Sequence, residues 1–109
     1  MRVYASVSLL ALGLGLAAEM SPASAQDRNL GRNLAAQCAN CHGTNGQALR
    51  GMPALAGRPR DEIVRLMGEF KSGARAGDKG TLMPQLARGY SDEQVALIAE
   101  YLSRQKPLP

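Results

Sequence analysis

The chain has 109 residues, of which 45% are hydrophobic and 20% are charged, a composition typical of one soluble globular domain. Thirteen Lys and Arg against nine Asp and Glu leave a net charge of +4, far short of the basic stripe of a nucleic-acid-binding protein, so we expect no nucleic-acid partner. Two Cys and one His cannot supply the ligands of a zinc site or build a scaffold of several disulfides.

The first 25 residues are predicted to be a signal peptide that is cleaved. Arg2 precedes an apolar run over residues 3–18, and residues 23–25 (ASA) form a small-x-small cleavage site. A membrane anchor is the alternative, but this run of 16 residues is shorter than the ~20 that span a bilayer. We therefore expect an exported bacterial protein of the periplasm, with residues 26–109 as its mature domain and no stable membrane span after cleavage.

The mature chain is predicted to be all-α, with three helices and two long loops. The first helix covers residues 29–39, the second is capped by Asp61, and the third begins with a capping box at Ser91. The loops cover residues 43–59 and 72–89, and loops of this length in so small a domain are functional or disordered. The apolar faces predicted by helical spacing are Leu30, Leu34 and Cys38 in the first helix, Ile63, Leu66, Met67 and Phe70 in the second, and Val95, Ile98, Tyr101 and Leu102 in the third.

The pentapeptide CANCH, residues 38–42, is the attachment signature of a c-type haem. Cys38 and Cys41 rise from one side of a helical turn and can reach the two vinyl groups of a porphyrin, and His42 can then bind the iron as proximal ligand. A thioredoxin-like redox motif would need a βαβ unit, and a structural disulfide would leave this aromatic-poor core unfilled. We therefore predict one covalently bound haem c.

The sixth iron ligand must be a Met, a Lys or absent, because the chain has no second His. Met67 lies on the apolar face of the second helix and is predicted to be a core residue, and Met52, in the loop expected to cover the proximal side, is predicted to pack there. Met83 lies in the second loop, which can fold over the other haem face, and is predicted to be the distal ligand. Six-coordinate iron of this kind transfers electrons, so we expect no catalytic residue, whereas a haem sensor or peroxidase would need an open distal position.

The order of these features resembles a class I monohaem cytochrome c along nearly the whole mature chain. Gly31 precedes the haem motif, and a loop of sequence MPAL at residues 52–55 follows it. The resemblance implies three main helices wrapped around one covalently bound haem. It also implies that the carbonyl of Pro53 orients the His42 imidazole, and that the first and last helices cross at Gly31 against Tyr101.

Two stretches around Met83, residues 69–73 (EFKSG) and 87–91 (ARGYS), resemble the cytochrome subunit of flavocytochrome c sulfide dehydrogenase. They are also similar to one half of the dihaem cytochromes c4, although this chain has a single C-x-x-C-H. The first resemblance implies a flavoprotein dehydrogenase partner, which oxidises sulfide and passes electrons to the cytochrome. The alternative is a free soluble carrier of the c4 or c553 type, serving other periplasmic redox proteins.

The surface around Met83 is expected to differ between these two functions. A stable complex predicts a contiguous apolar patch at the haem edge, and a free carrier predicts a ring of charge. Basic side chains in this region can steer acidic partners. Arg75 and Arg88 can instead neutralise the haem propionates, with Tyr90 as a further hydrogen-bond donor. The alternative to both roles is an ordinary charged surface in contact with solvent. The apolar candidates are Ala54, Leu55, Leu82 and Pro84, and the basic ones are Lys71, Arg75, Lys79 and Arg88.

Overall fold

The computed structural model describes residues 23–75 and 82–109, with side chains from residue 29 onward. These residues form helices and loops and contain no strand, so the predicted all-α class is confirmed. The five α-helices are α1 (Ala23–Ala35), α2 (Ala39–His42), α3 (Arg60–Ser72), α4 (Met83–Arg88) and α5 (Asp92–Ser103), and short 3-10 turns lie at Ala36–Cys38 and Thr44–Gly46.

Helices α1 and α5 cross at Gly31, where the resemblance to class I cytochromes c implied a close approach. A Cβ atom on Gly31 would lie 2.7 Å from the carbonyl oxygen of Leu97 and 3.6 Å from the Cβ of Tyr101. Only a residue without a side chain allows the two backbones to come this near. The predicted crossing of Gly31 against Tyr101 is therefore confirmed.

The core lies where α5 packs against α1 and α3. Ile98 and Leu102 are its largest fully buried side chains. Met67 belongs to the same cluster, as its position on the second apolar stripe predicted, and Leu34 and Cys38 pack against its edge. Leu30 is 37% exposed, so the first predicted stripe is buried only in its second half. The buried cluster comprises Ala35, Ile63, Met67, Ala87, Val95, Ile98, Ala99 and Leu102.

Three helix boundaries differ from those predicted. Helix α1 begins at Ala23, before the predicted start at residue 29. The first helix was expected to end at residue 39, but α-helical bonding gives way at Ala36 to a 3-10 turn, and α2 then resumes as far as His42. Asp61 is not a cap: Pro59 holds that position with extended backbone (ψ 134°), and α3 begins at Arg60. Asp61 lies in the first turn instead, where a carboxylate still interacts favourably with the helix dipole.

The second predicted loop, residues 72–89, contains a helix that the sequence analysis missed. Helix α4 begins at Met83 and carries Pro84 in its first turn, where proline is favoured because that N–H has no helical partner. The predicted capping box of the next helix is confirmed: the Gln94 backbone N–H donates to Ser91 Oγ at 3.1 Å, and Ser91 N–H donates to Gln94 Oε1 at 2.9 Å. Lys79 lies outside the described residues.

The predicted signal peptide lies mostly outside the described residues, which begin at Ala23. Within 23–75 and 82–109, no helix has the length and apolar character needed to cross a membrane. Cleavage after residue 25 remains a prediction.

Candidate haem-binding site

The three chemical groups of the CANCH motif lie on one short stretch of helical backbone. Cys38 ends the first 3-10 turn, and Cys41 and His42 belong to α2. His42 is buried, with 8% of its surface exposed, while Cys38 is half-buried and Cys41 exposed. Both thiols are free, so the disulfide alternative is not formed in this structure. The motif therefore places one exposed thiol, one half-buried thiol and one buried ring close together along the chain.

One hydrogen bond holds the His42 ring and determines which of its nitrogens carries the proton. Nδ1 lies 2.7 Å from the carbonyl oxygen of Pro53, and because a carbonyl only accepts, Nδ1 must carry the proton. In the neutral ring the lone pair is then on Nε2, the nitrogen that can bind a metal. The contact implied for Pro53 by the family resemblance is thus present, and it leaves the ring prepared as an iron ligand.

The loop between His42 and Pro53 is closed by backbone hydrogen bonds. Ala48 N–H donates to the His42 carbonyl at 2.7 Å, and the Gly46 carbonyl accepts from Leu55 at 2.7 Å and from Ala56 at 3.0 Å. Gly43 has φ 82°, and a Cβ there would lie 2.5 Å from the Ala48 carbonyl oxygen. The tight turn after the motif therefore depends on glycine at position 43.

The methionines occupy three different environments. Met83 is half-buried at the start of α4 and packs against the core cluster. Met67 is buried in the core, as predicted. Met52 was predicted to pack against the proximal side; it is 38% exposed in its loop, and that role remains a prediction. Among the methionines of the described residues, Met83 is therefore the half-buried one, and its role as distal ligand remains a prediction.

The basic side chains near Met83 have partners of their own. The Arg75 guanidinium lies 5.7 Å from the centroid of the Phe70 ring, a cation–π distance. Lys71 Nζ pairs with Asp92 Oδ1 at 2.9 Å. Arg88, by contrast, is exposed in the last turn of α4. The interaction of Arg75 and Arg88 with haem propionates remains a prediction.

Tyr90 lies close enough to Cys38 for a thiolate there to influence the pKa of the Tyr90 hydroxyl. Burial raises the pKa of the Cys38 thiol. Burial and then the negative charge of a Cys38 thiolate raise the pKa of the Tyr90 hydroxyl. Tyr90 therefore borders the attachment site and keeps its proton at neutral pH, which suits the donor role predicted for it.

The side chains present fit a haem c better than a bare metal ion. Across the described part of the chain, no group of three or more His, Cys, Asp or Glu comes together to hold a metal. A haem needs only what Cys38, Cys41 and His42 offer here: two thiols for its vinyl groups and one imidazole nitrogen for its iron.

Two residues of the loop between His42 and Pro53, Asn45 and Gln47, make contacts that the sequence did not predict. The Tyr101 hydroxyl donates to Asn45 Oδ1 at 2.6 Å, joining α5 to the loop. The Gln47 side chain bonds the backbone of the C-terminal tail at Lys106 and Leu108. Both contacts join residues far apart in sequence, and no local pattern could have indicated them.

The Cytochrome c family profile matches residues 29–106. The chain therefore belongs to the cytochrome c family, whose members are electron carriers with covalently bound haem c. It is an electron-transfer haemoprotein and not a catalyst, as predicted.

Three relatives represent the similarity. The cytochrome subunit of sulfide dehydrogenase from Chlorobaculum tepidum is 38% identical over 71 residues, which are 65% of this chain and 62% of that protein. Cytochrome c-553 from Nitratidesulfovibrio vulgaris is 32% identical over 98 residues, 88% of this chain and 93% of the relative. Cytochrome c4 from Azotobacter vinelandii is 34% identical over 107 residues, 91% of this chain but 49% of the relative. The resemblances to the sulfide dehydrogenase subunit and to one half of a cytochrome c4 are confirmed.

Proposed function

We propose that this chain is an exported, periplasmic cytochrome that carries its haem on Cys38 and Cys41, with His42 and Met83 as the axial ligands. The hydrogen bond from His42 Nδ1 to the Pro53 carbonyl carries this proposal. It holds the proton of the buried ring on Nδ1 and leaves the lone pair on Nε2, the nitrogen that can bind iron. A bound haem would supply a one-electron couple. Cys38 and Cys41 would anchor it, and the half-buried Met83 would exclude other ligands from the iron.

Replacement of Met83 tests the distal ligand. In Met83→Ala we expect the low-spin absorption spectrum to be lost and an added ligand such as imidazole or cyanide to bind, because no other side chain of the second loop offers a thioether. Met52→Ala is the matched control: this exposed methionine should leave both the spectrum and the ligand exclusion unchanged. A Met83→Ala protein that keeps the low-spin spectrum contradicts the assignment.

We propose a flavoprotein sulfide dehydrogenase subunit as the electron donor. The similarity to the Chlorobaculum tepidum cytochrome subunit supports this partner. Two exposed leucines support a stable complex, because Leu82 is 63% and Leu86 49% exposed and neighbouring exposed apolar side chains suit an interaction surface. Leu86 also lines a groove between α1 and α4 whose lining side chains carry no charge: Asn33, Leu34, Gln37, Gln85, Leu86 and Tyr90, with Gly89.

A free carrier is the second candidate. The alignment with cytochrome c-553 over 93% of the length of that relative favours it. The exposed basic residue Arg88 next to the groove also suits transient encounters steered by charge. The two candidates differ in whether the apolar surface is covered in the native protein.

Size-exclusion chromatography of the native protein, with haem and flavin absorbance recorded together, separates the two candidates. Co-elution of haem and flavin well above the mass of the chain is expected for the dehydrogenase subunit, and haem at the monomer position for the free carrier. Leu86→Asp should abolish co-elution, while Leu108→Asp, a change at another exposed leucine, should not. Absence of haem would contradict both.

A further inference from the structure

The C-terminal tail folds back over the loop that joins His42 to Pro53. The side-chain amide of Gln47 bonds it twice: Nε2 donates to the Lys106 carbonyl at 2.7 Å, and Oε1 accepts from the Leu108 N–H at 2.9 Å. A primary amide is the side-chain group that both donates and accepts in this way. Gln47 is therefore bound to the tail through both ends of its amide.

The backbone on either side of Gln47 is tied to the two partners of the proximal hydrogen bond. Before it, the Gly46 carbonyl accepts from Leu55 and Ala56, just after Pro53. After it, the Ala48 N–H donates to the carbonyl of His42 itself. A displacement of residue 47 must therefore move the His42 end or the Pro53 end of the bond between them.

The backbone of this loop does not hold its conformation unaided. Asn45, Ala48 and Arg50 have φ of 54°, 84° and 48°, in the left-handed region that residues with a Cβ rarely adopt. Such conformations persist only where surrounding contacts enforce them. The tail supplies contacts of that kind at Gln47, and its Pro107 packs against Gly57, just beyond the Pro53 end of the loop.

We propose that Gln47 is a positioning residue of the haem site: its amide fastens the tail to the loop and so keeps the Pro53 carbonyl within hydrogen-bonding distance of His42 Nδ1. The inference rests on the proposed role of His42 as iron ligand. An acceptor on Nδ1–H makes the imidazole a stronger donor and favours oxidised iron. Loosening this bond should therefore raise the reduction potential.

The test compares Gln47→Leu with Gln105→Leu in the haem-loaded protein. Gln105 Nε2 donates to the Tyr101 carbonyl at 2.9 Å, so its replacement removes a similar amide bond without touching the loop. The low-spin spectrum, recorded first, establishes that haem and both ligands are in place. If a variant shows the low-spin spectrum, its exchange rates and potential test the role of Gln47. If the wild-type protein lacks the low-spin spectrum, that result contradicts the proposed function instead.

The readouts are hydrogen exchange in the reduced protein and the reduction potential. Two net hydrogen bonds correspond to roughly a thirtyfold change in an opening equilibrium, so exchange of the His42 Nδ1 proton and the Leu108 amide should both accelerate about tenfold or more in Gln47→Leu. The potential should rise in the same variant. In Gln105→Leu both exchange rates should stay within about twofold of the wild type, and the potential should be unchanged.

Two results would overturn the proposal. Faster exchange at Leu108 with an unchanged His42 Nδ1 proton would show that Gln47 holds the tail alone. An equal acceleration of the buried Met67 amide would show a general loss of stability rather than positioning.

If Gln47→Leu does not retain haem, a second variant can test the same proposal. Truncation after Gln105 removes both partners of the Gln47 amide together with Pro107, so it should accelerate exchange of the His42 Nδ1 proton and raise the potential at least as much as Gln47→Leu does. Adding Gln47→Leu to the truncated protein should change neither readout further, because the partners of the amide are already gone. Additive effects of the two changes, or a truncated protein with wild-type exchange at His42, would refute the role of Gln47.

Discussion

Replacement of Gly31 by Ala tests the crossing of α1 and α5. The new Cβ would lie 2.7 Å from the Leu97 carbonyl oxygen, so the helices must separate by about 0.7 Å to restore ordinary contact. Overpacking of this kind costs about 1–3 kcal/mol, whereas alanine gains up to about 1 kcal/mol over glycine in helix propensity. We expect a net loss of about 1–2 kcal/mol, or roughly 4–16 °C in Tm for a domain of this size.

Gly68→Ala is the matched control. Gly68 lies inside α3 with nothing within 4 Å of the position of a Cβ, so this substitution gains the propensity without the clash. In thermal and urea unfolding, followed by far-ultraviolet circular dichroism, Gly68→Ala should therefore be more stable than the wild type and Gly31→Ala less stable. Equal stability of the two variants would refute the reasoning that the close approach, and not helix propensity, selects glycine at position 31.

Further predictions concern the loop and the last helix. Ala48→Gly should raise stability by about 0.5–1 kcal/mol, because glycine relieves the left-handed φ of 84°; an unchanged or lower Tm would argue against strain at this position. Ser91→Ala removes the capping box of α5 and should cost about 1 kcal/mol in urea unfolding, with Ser103→Ala, at the other end of the helix, as the milder comparison. Tyr101→Phe removes the bond to Asn45 and should lower Tm by a few degrees, about 1 kcal/mol, while the absorption spectrum stays that of the wild type.

Much of the site could be predicted because its chemistry is local in sequence. The spacing of Cys38, Cys41 and His42 follows from the geometry of one helical turn, and the capping box at Ser91 needs only residues three positions apart. The buried faces of α3 and α5 also followed from helical spacing, because the side chains at these intervals share one side of a helix.

The features that were missed depend on contacts across the fold. Helix α4 has six residues, too few to be stable alone, so its formation depends on tertiary packing rather than on a periodic pattern. Asp61 has the residue type of a cap, but the extended backbone of Pro59 places the helix start elsewhere. The amide of Gln47 finds its partners 59 and 61 residues further along the chain, a separation at which sequence patterns carry no information.

The contact between α1 and α5 has a consequence for the order in which the domain can form. Because Gly31 meets the backbone of Leu97, the first described helix has no partner at this crossing until the last one has been synthesised. Closing so long a loop is entropically costly and slow, and the packing of α1 against α5 offsets this entropy loss only when the whole interface forms. A chain interrupted within α5 would therefore leave Ala35 and Met67 without their cover, and we expect such a fragment to remain unfolded rather than to form a smaller domain.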